Sequence, residues 1–140
     1  MSYAGDLSPE EAWAKLEDGA LLVDVRTEGE WAHIGVPDTK ATQNDPLFIQ
    51  WSLAGGIPNA RFVEQLKQQL KQQAPDVEGR ELVFLCRSGA RSIAAAIAAT
   101  DAGYTSYNVL EGFEGEPDRH GERTVNGWKN RGLPPNPGKH

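Results

Sequence analysis

The chain has a single cysteine in 140 residues, Cys86, so no disulfide can form within it. It also lacks a Cys/His cluster of the zinc-binding type, and nothing in the sequence calls for a metal or a cofactor. Positive charge is in deficit. The 14 lysines and arginines face 20 aspartates and glutamates, for a net charge of −6 and a pI near 5.0. That balance argues against a nucleic-acid partner held by bulk electrostatics. No apolar run approaches the length of a membrane span. Met1 to Asp6 has neither the basic start nor the apolar stretch of a signal peptide. Internal repeats and low-complexity segments are absent too. These absences lead to an expected reducing, cytoplasmic setting with no membrane and no nucleic-acid partner. At this length we expect a single domain over 1–140, with 1–5 and 134–140 as flexible ends. Such a chain buries about two-thirds of its unfolded surface.

What is present alternates in period. Ser8-Pro9-Glu10-Glu11 is a helix start, with serine as N-cap, proline in the first helical position and glutamate completing a capping box. Ala12, Trp13 and Leu16 follow at helical spacing, and Asp18-Gly19 ends that element. Ala20 to Val25 is a short continuous apolar run, the pattern of a strand buried on both faces. Asp24 and Arg26 mark its C-terminal end. Thr27 to Ala32 reads as a helical turn, and Leu47 to Trp51 as a strand within the least legible stretch, 38–59. Phe62, Val63, Leu66 and Leu70 describe one face of a helix that Pro75 stops. Leu82 to Leu85 is a second buried strand, Ile93 to Ala102 an alanine-rich helix with Gly103 beyond its end, and Tyr107 to Leu110 a last strand. A short final helix is expected from about Arg123 to Arg131. Strands alternating with helices indicate an α/β domain with a mainly parallel sheet, whose sites form beyond the carboxyl ends of the strands.

Cys86 lies at such an end. It opens Cys86-Arg87-Ser88-Gly89-Ala90-Arg91-Ser92, between a buried strand and a helix N-terminus. Guanidinium charge and the free N–H groups of a helix start both favour a thiolate, the reactive form of cysteine. A core cysteine has no use for two arginines and a glycine, whereas an anion cradle uses all three. Asp24 and Arg26 end the other buried strand and share this rim, either as an ion pair fixing a loop or as direct substrate contacts.

These features together resemble the single-domain rhodaneses, the thiosulfate sulfurtransferase-like family. The matching residues are Asp24-Val25-Arg26, Glu30-Trp31, the cysteine loop, Tyr104, Tyr107-Asn108-Val109-Leu110-Glu111-Gly112-Phe113 and Gly127-Trp128-Lys129, spread over about residues 6 to 134. The cysteine loop is the specific part. The resemblance implies a rhodanese-like α/β domain whose central, mainly parallel five-stranded sheet carries helices on both faces. It also implies covalent sulfur transfer. A small anionic donor such as thiosulfate gives its outer sulfur to Cys86, and a nucleophile (cyanide, a thiol or a protein acceptor) removes it from the persulfide. By the same resemblance Cys86 is catalytic, and Arg87, Ser88, Gly89, Ala90 and Arg91 form the substrate-binding loop. Arg87 and Arg91 hold the donor's anionic group, with Ser92, Asp24 and Arg26 in support. No histidine base is required, and His33, His120 and His140 are simplest as surface residues.

Loop length separates this chemistry from its neighbours. Cysteine phosphatases resemble Cys-x5-Arg, with arginine at the sixth position after the nucleophile. Here that position is Ser92, and the arginine is Arg91 at the fifth. The shorter loop suits one sulfur atom better than a phosphoryl group, so phosphatase or arsenate-reductase activity is a lesser alternative. A sulfur-relay or interaction module with weak small-molecule turnover is another. The loop lacks the Cys-Gly-Ser-Gly form of mercaptopyruvate-type enzymes. Ile34-Gly35-Val36-Pro37-Asp38 stands where many members have Gly-His-Ile-Pro-Gly-Ala, so His33 inherits no family role. Phe48, Trp51 and Leu53 in the long connection are expected as extra core or, alternatively, as a cap or partner surface.

Overall fold

The two continuous apolar runs become neighbouring strands at the centre of one sheet. The computed structural model describes residues 3–37, 46–53, 57–73, 81–87, 90–115, 119–120, 127–128 and 135–136, with Ala90, Pro135 and Asn136 described by backbone alone. Along the chain come β1 (Gly5–Leu7), α1 (Pro9–Glu17), β2 (Leu21–Asp24), α2 (Glu28–His33), β3 (Val36–Pro37), β4 (Leu47–Phe48), α3 (Phe62–Gln73), β5 (Glu81–Leu85), α4 (Ala90–Asp101), β6 (Thr105–Val109) and β7 (Pro135–Asn136). The main sheet has five strands in the order β1-β6-β5-β2-β4, and every pairing in it is parallel. Parallel strands need crossovers that cover the sheet faces, which is why β2 and β5 are apolar without alternation.

Two cores follow from this. Leu21, Val23, Val25, Leu82, Phe84 and Cys86 point to one face, where Phe62, Leu66 and Leu70 of α3 and Ala95, Ala96 and Ala99 of α4 meet them. Leu22, Val83 and Leu85 point to the other, against Ala12 and Leu16 of α1, Phe113 and Trp128. The alanines of α4 bring its backbone close to the sheet. Gly103, at φ +101°, then lets the chain reverse, with its N–H bonded to Thr100 O.

Helix starts are well fixed. Ser8 caps α1 and Thr27 caps α2, each in a reciprocal capping box with the glutamate three residues on, Glu11 and Glu30. Such boxes satisfy N–H groups that a helix start otherwise leaves open.

Several elements differ from the sequence reading. α4 begins at Ala90 rather than Ile93, so Arg91 and Ser92 are helical. β1 was not expected. Three residues are too few to show a period, and it forms because β6 offers a pairing edge. The Leu47–Trp51 stretch has regular pairing only at Leu47–Phe48, but Ile49 N–H to Asp24 O and Trp51 N–H to Val25 O continue it along β2. Within the stretch taken as a flexible end, Pro135–Asn136 pairs antiparallel with Val36–Pro37. The helix expected over 123–131 falls outside the described residues, apart from Gly127 and Trp128, as does Pro75. Phe48, half-buried, packs edge-on against buried Trp31 at 5.2 Å, and Trp51, half-buried, packs against the core at Phe62 at 5.0 Å. Leu53 stays exposed.

Candidate active site

Strand β5 delivers Cys86 to the carboxyl rim of the sheet, one residue before the chain turns toward α4. Its side chain is only 1% exposed, set among the residues that α3 and α4 cover. Three main-chain hydrogen bonds from one neighbouring segment, 113–115, back the turn. Phe113 N–H bonds Cys86 O at 2.8 Å, and the N–H groups of Glu114 and Gly115 bond Arg87 O at 2.9 and 3.1 Å. The turn after β6 therefore holds the main chain on which the sulfur sits. Gly112 and Gly115 have φ of +72° and +76°, a region that favours glycine. Trp128 N–H in turn bonds Gly112 O at 2.9 Å and ties a distant segment to this turn.

Arg91, in the first turn of α4, does not stand free. Its guanidinium makes two parallel hydrogen bonds to Glu30, Nη1 to Oε1 at 2.8 Å and Nη2 to Oε2 at 2.9 Å. This bidentate geometry is the strongest form of carboxylate pairing. Burial pushes the Glu30 carboxyl up, but hydrogen bonds from Arg91 and from the Thr27 backbone outweigh it and hold the group below its usual range. The Glu30 hydrogen bonds hold Arg91 more firmly protonated than usual against its partial burial, and attraction from Glu30, Cys86 and Asp24 adds to this. Arg87 is exposed.

Ser92, fully buried, bonds Cys86 Sγ at 3.2 Å through Oγ and also meets Asn108 Oδ1. Asn108 Nδ2 donates to Asp6 Oδ1 at 3.0 Å, and Tyr3 Oη donates to the same oxygen at 2.7 Å. Strand register explains the row, since Asp6 of β1 lies beside Asn108 of β6, which lies beside Phe84 of β5, two residues before Cys86.

Asp24 and Arg26 occupy a different place. Both are fully buried, with Arg26 Nη2 on Asp24 Oδ2 at 2.8 Å and Nε on Oδ1 at 3.0 Å. Nη2 also bonds Gly35 O at 2.8 Å, and the guanidinium lies 4.3 Å from the centre of the Phe113 ring. Its Nη1 has no hydrogen-bond partner among the described residues. The two side chains form a buried ion pair that ties the end of β2 to Gly35, just before β3.

Of the loop residues expected at the site, Ser92 is in contact with Cys86, while Arg91 is paired with Glu30 and reaches Cys86 through its charge. Ala90 is the first residue of α4, and Ser88 and Gly89 lie outside the described residues. His33 and His120 are exposed. Sequence reasoning named Glu30 and Asn108 only as part of a resemblance and gave them no role. For Glu30 a signal existed in Thr27-x-x-Glu30, a capping box that fixes its carboxylate at a helix start. For Asn108, a polar residue among β-formers gave none. Among the described residues there is no cluster of acidic, histidine or cysteine side chains able to hold a metal ion, and no helix long and apolar enough to cross a membrane.

A thiol at the end of a central parallel strand, a following helix whose first turn carries an arginine and a glycine turn clamping the thiol's carbonyl form a recognisable combination. Residues 8–115 match the rhodanese-like domain family, and the chain belongs to it. It is similar to Rv0390 from M. tuberculosis, whose crystal structure is 44% identical and superposes with a TM-score of 0.88 over 98% of this chain and all of that one. An uncharacterized protein of Rickettsia rickettsii is 36% identical over 118 residues, 84% of this chain and 83% of its own. A rhodanese-like domain protein from Staphylococcus aureus, at 19% identity and a TM-score of 0.54, covers 93% of this chain and 96% of its own and shares the fold. Membership places the chain in a family of sulfurtransferases and sulfur-handling domains.

Proposed function

We propose that this protein is a sulfurtransferase working through a persulfide on Cys86. The Cys86 thiolate attacks the outer sulfur of an anionic donor such as thiosulfate, a new S–S bond forms, and sulfite leaves with the electrons of the broken bond. An external nucleophile, cyanide or a small or protein thiol, then attacks that outer sulfur and Cys86 departs as thiolate. With one cysteine in the chain, the persulfide has no internal thiol to resolve it, so the acceptor must come from outside. A reducing, cytoplasmic setting suits such a thiol.

One observation carries this reading. Cys86 is held at the sheet rim beside the first turn of α4, where Arg91 attracts it. A helix start and a guanidinium both stabilise anionic sulfur at that point. Exposed Arg87 is the cation that meets the donor's sulfonate. Incubation with thiosulfate should add the mass of one sulfur atom to the protein, and Cys86→Ser should abolish the adduct. Absence of an adduct from thiosulfate, a glutathione persulfide and mercaptopyruvate alike would sink the proposal.

A second reading draws on the Arg91–Glu30 pair. With Glu30 neutralising Arg91, less positive field is left for a small dianion, which favours a relay that takes sulfur from a protein persulfide. Slow thiosulfate–cyanide turnover beside fast exchange with a protein persulfide would distinguish the relay. Phosphatase or arsenate-reductase chemistry draws no support from an arginine already committed to a carboxylate.

A further inference from the structure

A serine hydroxyl carries one hydrogen, yet Ser92 Oγ is placed against two acceptors, Cys86 Sγ at 3.2 Å and Asn108 Oδ1. Which of them receives that hydrogen depends on groups farther out. The Asp6 carboxylate accepts only, so the Asn108 amide must turn its NH2 toward Asp6 and its carbonyl oxygen toward Ser92. That oxygen likewise accepts only. The Ser92 hydrogen is therefore drawn to Asn108, and the Oγ lone pairs are left facing the sulfur. A thiol S–H can donate to them, but a thiolate at the same place finds no hydrogen from Ser92.

We propose that Asp6 and Asn108 are positioning residues for Cys86, acting through Ser92 to favour its thiol over its thiolate in the resting protein. Ser92 and Asn108 are fully buried, while Asp6 is exposed on edge strand β1. A surface carboxylate thus sets the direction of a hydrogen beside a buried sulfur. If the amide turns over, its NH2 faces Ser92 Oγ and the hydroxyl hydrogen swings to Sγ, where it supports a thiolate. Turned that way, the amide oxygen opposes the Asp6 carboxylate, so Asp6 biases the pair toward the resting state. Arg91, whose charge attracts Cys86, pulls the other way, and Arg87 directly follows Cys86 in the chain. The relay restrains the thiol until that balance shifts.

The inference rests on Cys86 being the reactive group but on no particular sulfur donor, and its test uses none. The rate of alkylation by iodoacetamide is measured against pH, with ultraviolet thiolate absorbance as a second reading. Asn108→Leu removes the acceptor at similar volume, so Ser92 is free to donate to sulfur. The profile should then move to lower pH by about one unit, the scale of one hydrogen bond to a charged group. Asp6→Ala should move it the same way by less, and its exposed position keeps the core intact if Asn108→Leu does not fold. In a Ser92→Ala background either change should move nothing. A merely structural loosening would raise the rates without displacing the profile. Unchanged profiles in Asp6→Ala and Asn108→Leu, or displacement that survives Ser92→Ala, would overturn the relay. A protein that takes up no sulfur would still report it.

Discussion

Arg26 brings a full positive charge into a place from which water is excluded, and Asp24 is the reason it can stay there. Two acceptor oxygens, the Gly35 carbonyl and the face of Phe113 replace its hydration. Such a pair adds little over well-packed apolar residues, but breaking one side strands the other charge. Asp24→Asn should therefore cost about 3–5 kcal/mol, read by urea unfolding. The joint change Asp24→Leu/Arg26→Met should cost less than this single change, because no unpaired charge remains. A double variant less stable than Asp24→Asn would contradict a structural role. Both residues were legible in the sequence as the polar end of an apolar strand. Their role was not, because substrate contact and loop fixing use the same residue types. Only the burial of the side chains separates the two.

The cysteine loop is held by an element that contains no chemistry of its own. The turn over residues 110–114 receives Cys86 and Arg87 carbonyls on one side, and Gly127 lies directly against it on the other. Gly127 has φ +96°, and a Cβ there would sit 2.5 Å from Gly115 N and 2.6 Å from Glu114 C. Those are backbone atoms and cannot swing aside as a side chain would. Gly127→Ala combines positive-φ strain with this overlap, so it should destabilise by about 2–4 kcal/mol in urea unfolding. It should also loosen the carbonyl clamp, seen as faster hydrogen exchange at the amides of Phe113 and Glu114. Stability within about 0.5 kcal/mol of wild type would show that the approach is not tight. The glycine-tryptophan pattern could be noticed in the sequence, but its purpose is a contact between segments far apart in the chain. The same holds for Arg91. Its distance from Cys86 along the chain was readable, and its engagement by Glu30, which lies 61 residues away, was not. Elements with their own period or cap, such as α1, β2, β5 and α4, were readable because local signals decide them. The short strands β1, β3 and β7 depend on the partner that each meets, whereas the apolar stretch Leu47 to Trp51 already pointed to β4.

At the scale of the molecule, the chain carries a net charge of −6, and Glu30 and Glu81 are carboxylates tied into ion pairs. Glu30 is held below its usual range, where burial opposes and the Arg91 and Thr27 hydrogen bonds prevail. Glu81, which joins β5 to α1 through Lys15 at 2.8 Å and accepts from Tyr107 at 2.9 Å, is lowered chiefly by the Lys15 hydrogen bond. A carboxylate with a depressed folded value contributes stability that is complete above its unfolded value and lost as pH falls through the folded one. Arg91 is raised and stays protonated throughout this range, so the pairing is lost in acid through Glu30 alone. Falling pH first relieves the self-repulsion of a chain with net charge −6, and this opposes any loss until about the pI near 5.0. Stability should therefore hold from neutral to about pH 5 and decline steeply below about pH 4.5, where the unfolded carboxylates take up protons first. Glu30→Gln separates the local contribution from the global one. At neutral pH it should be less stable by about 1–2 kcal/mol, since Arg91 loses its bidentate partner. Its acid decline should be shallower, because one proton fewer is bound on unfolding. Urea midpoints for the two proteins, measured from pH 7 down to about pH 3, should thus converge as the medium becomes acid. Curves that stay parallel would mean that Glu30 does not hold Arg91 through its charge, and the Arg91 pairing beside Cys86 would then have to rest on shape alone.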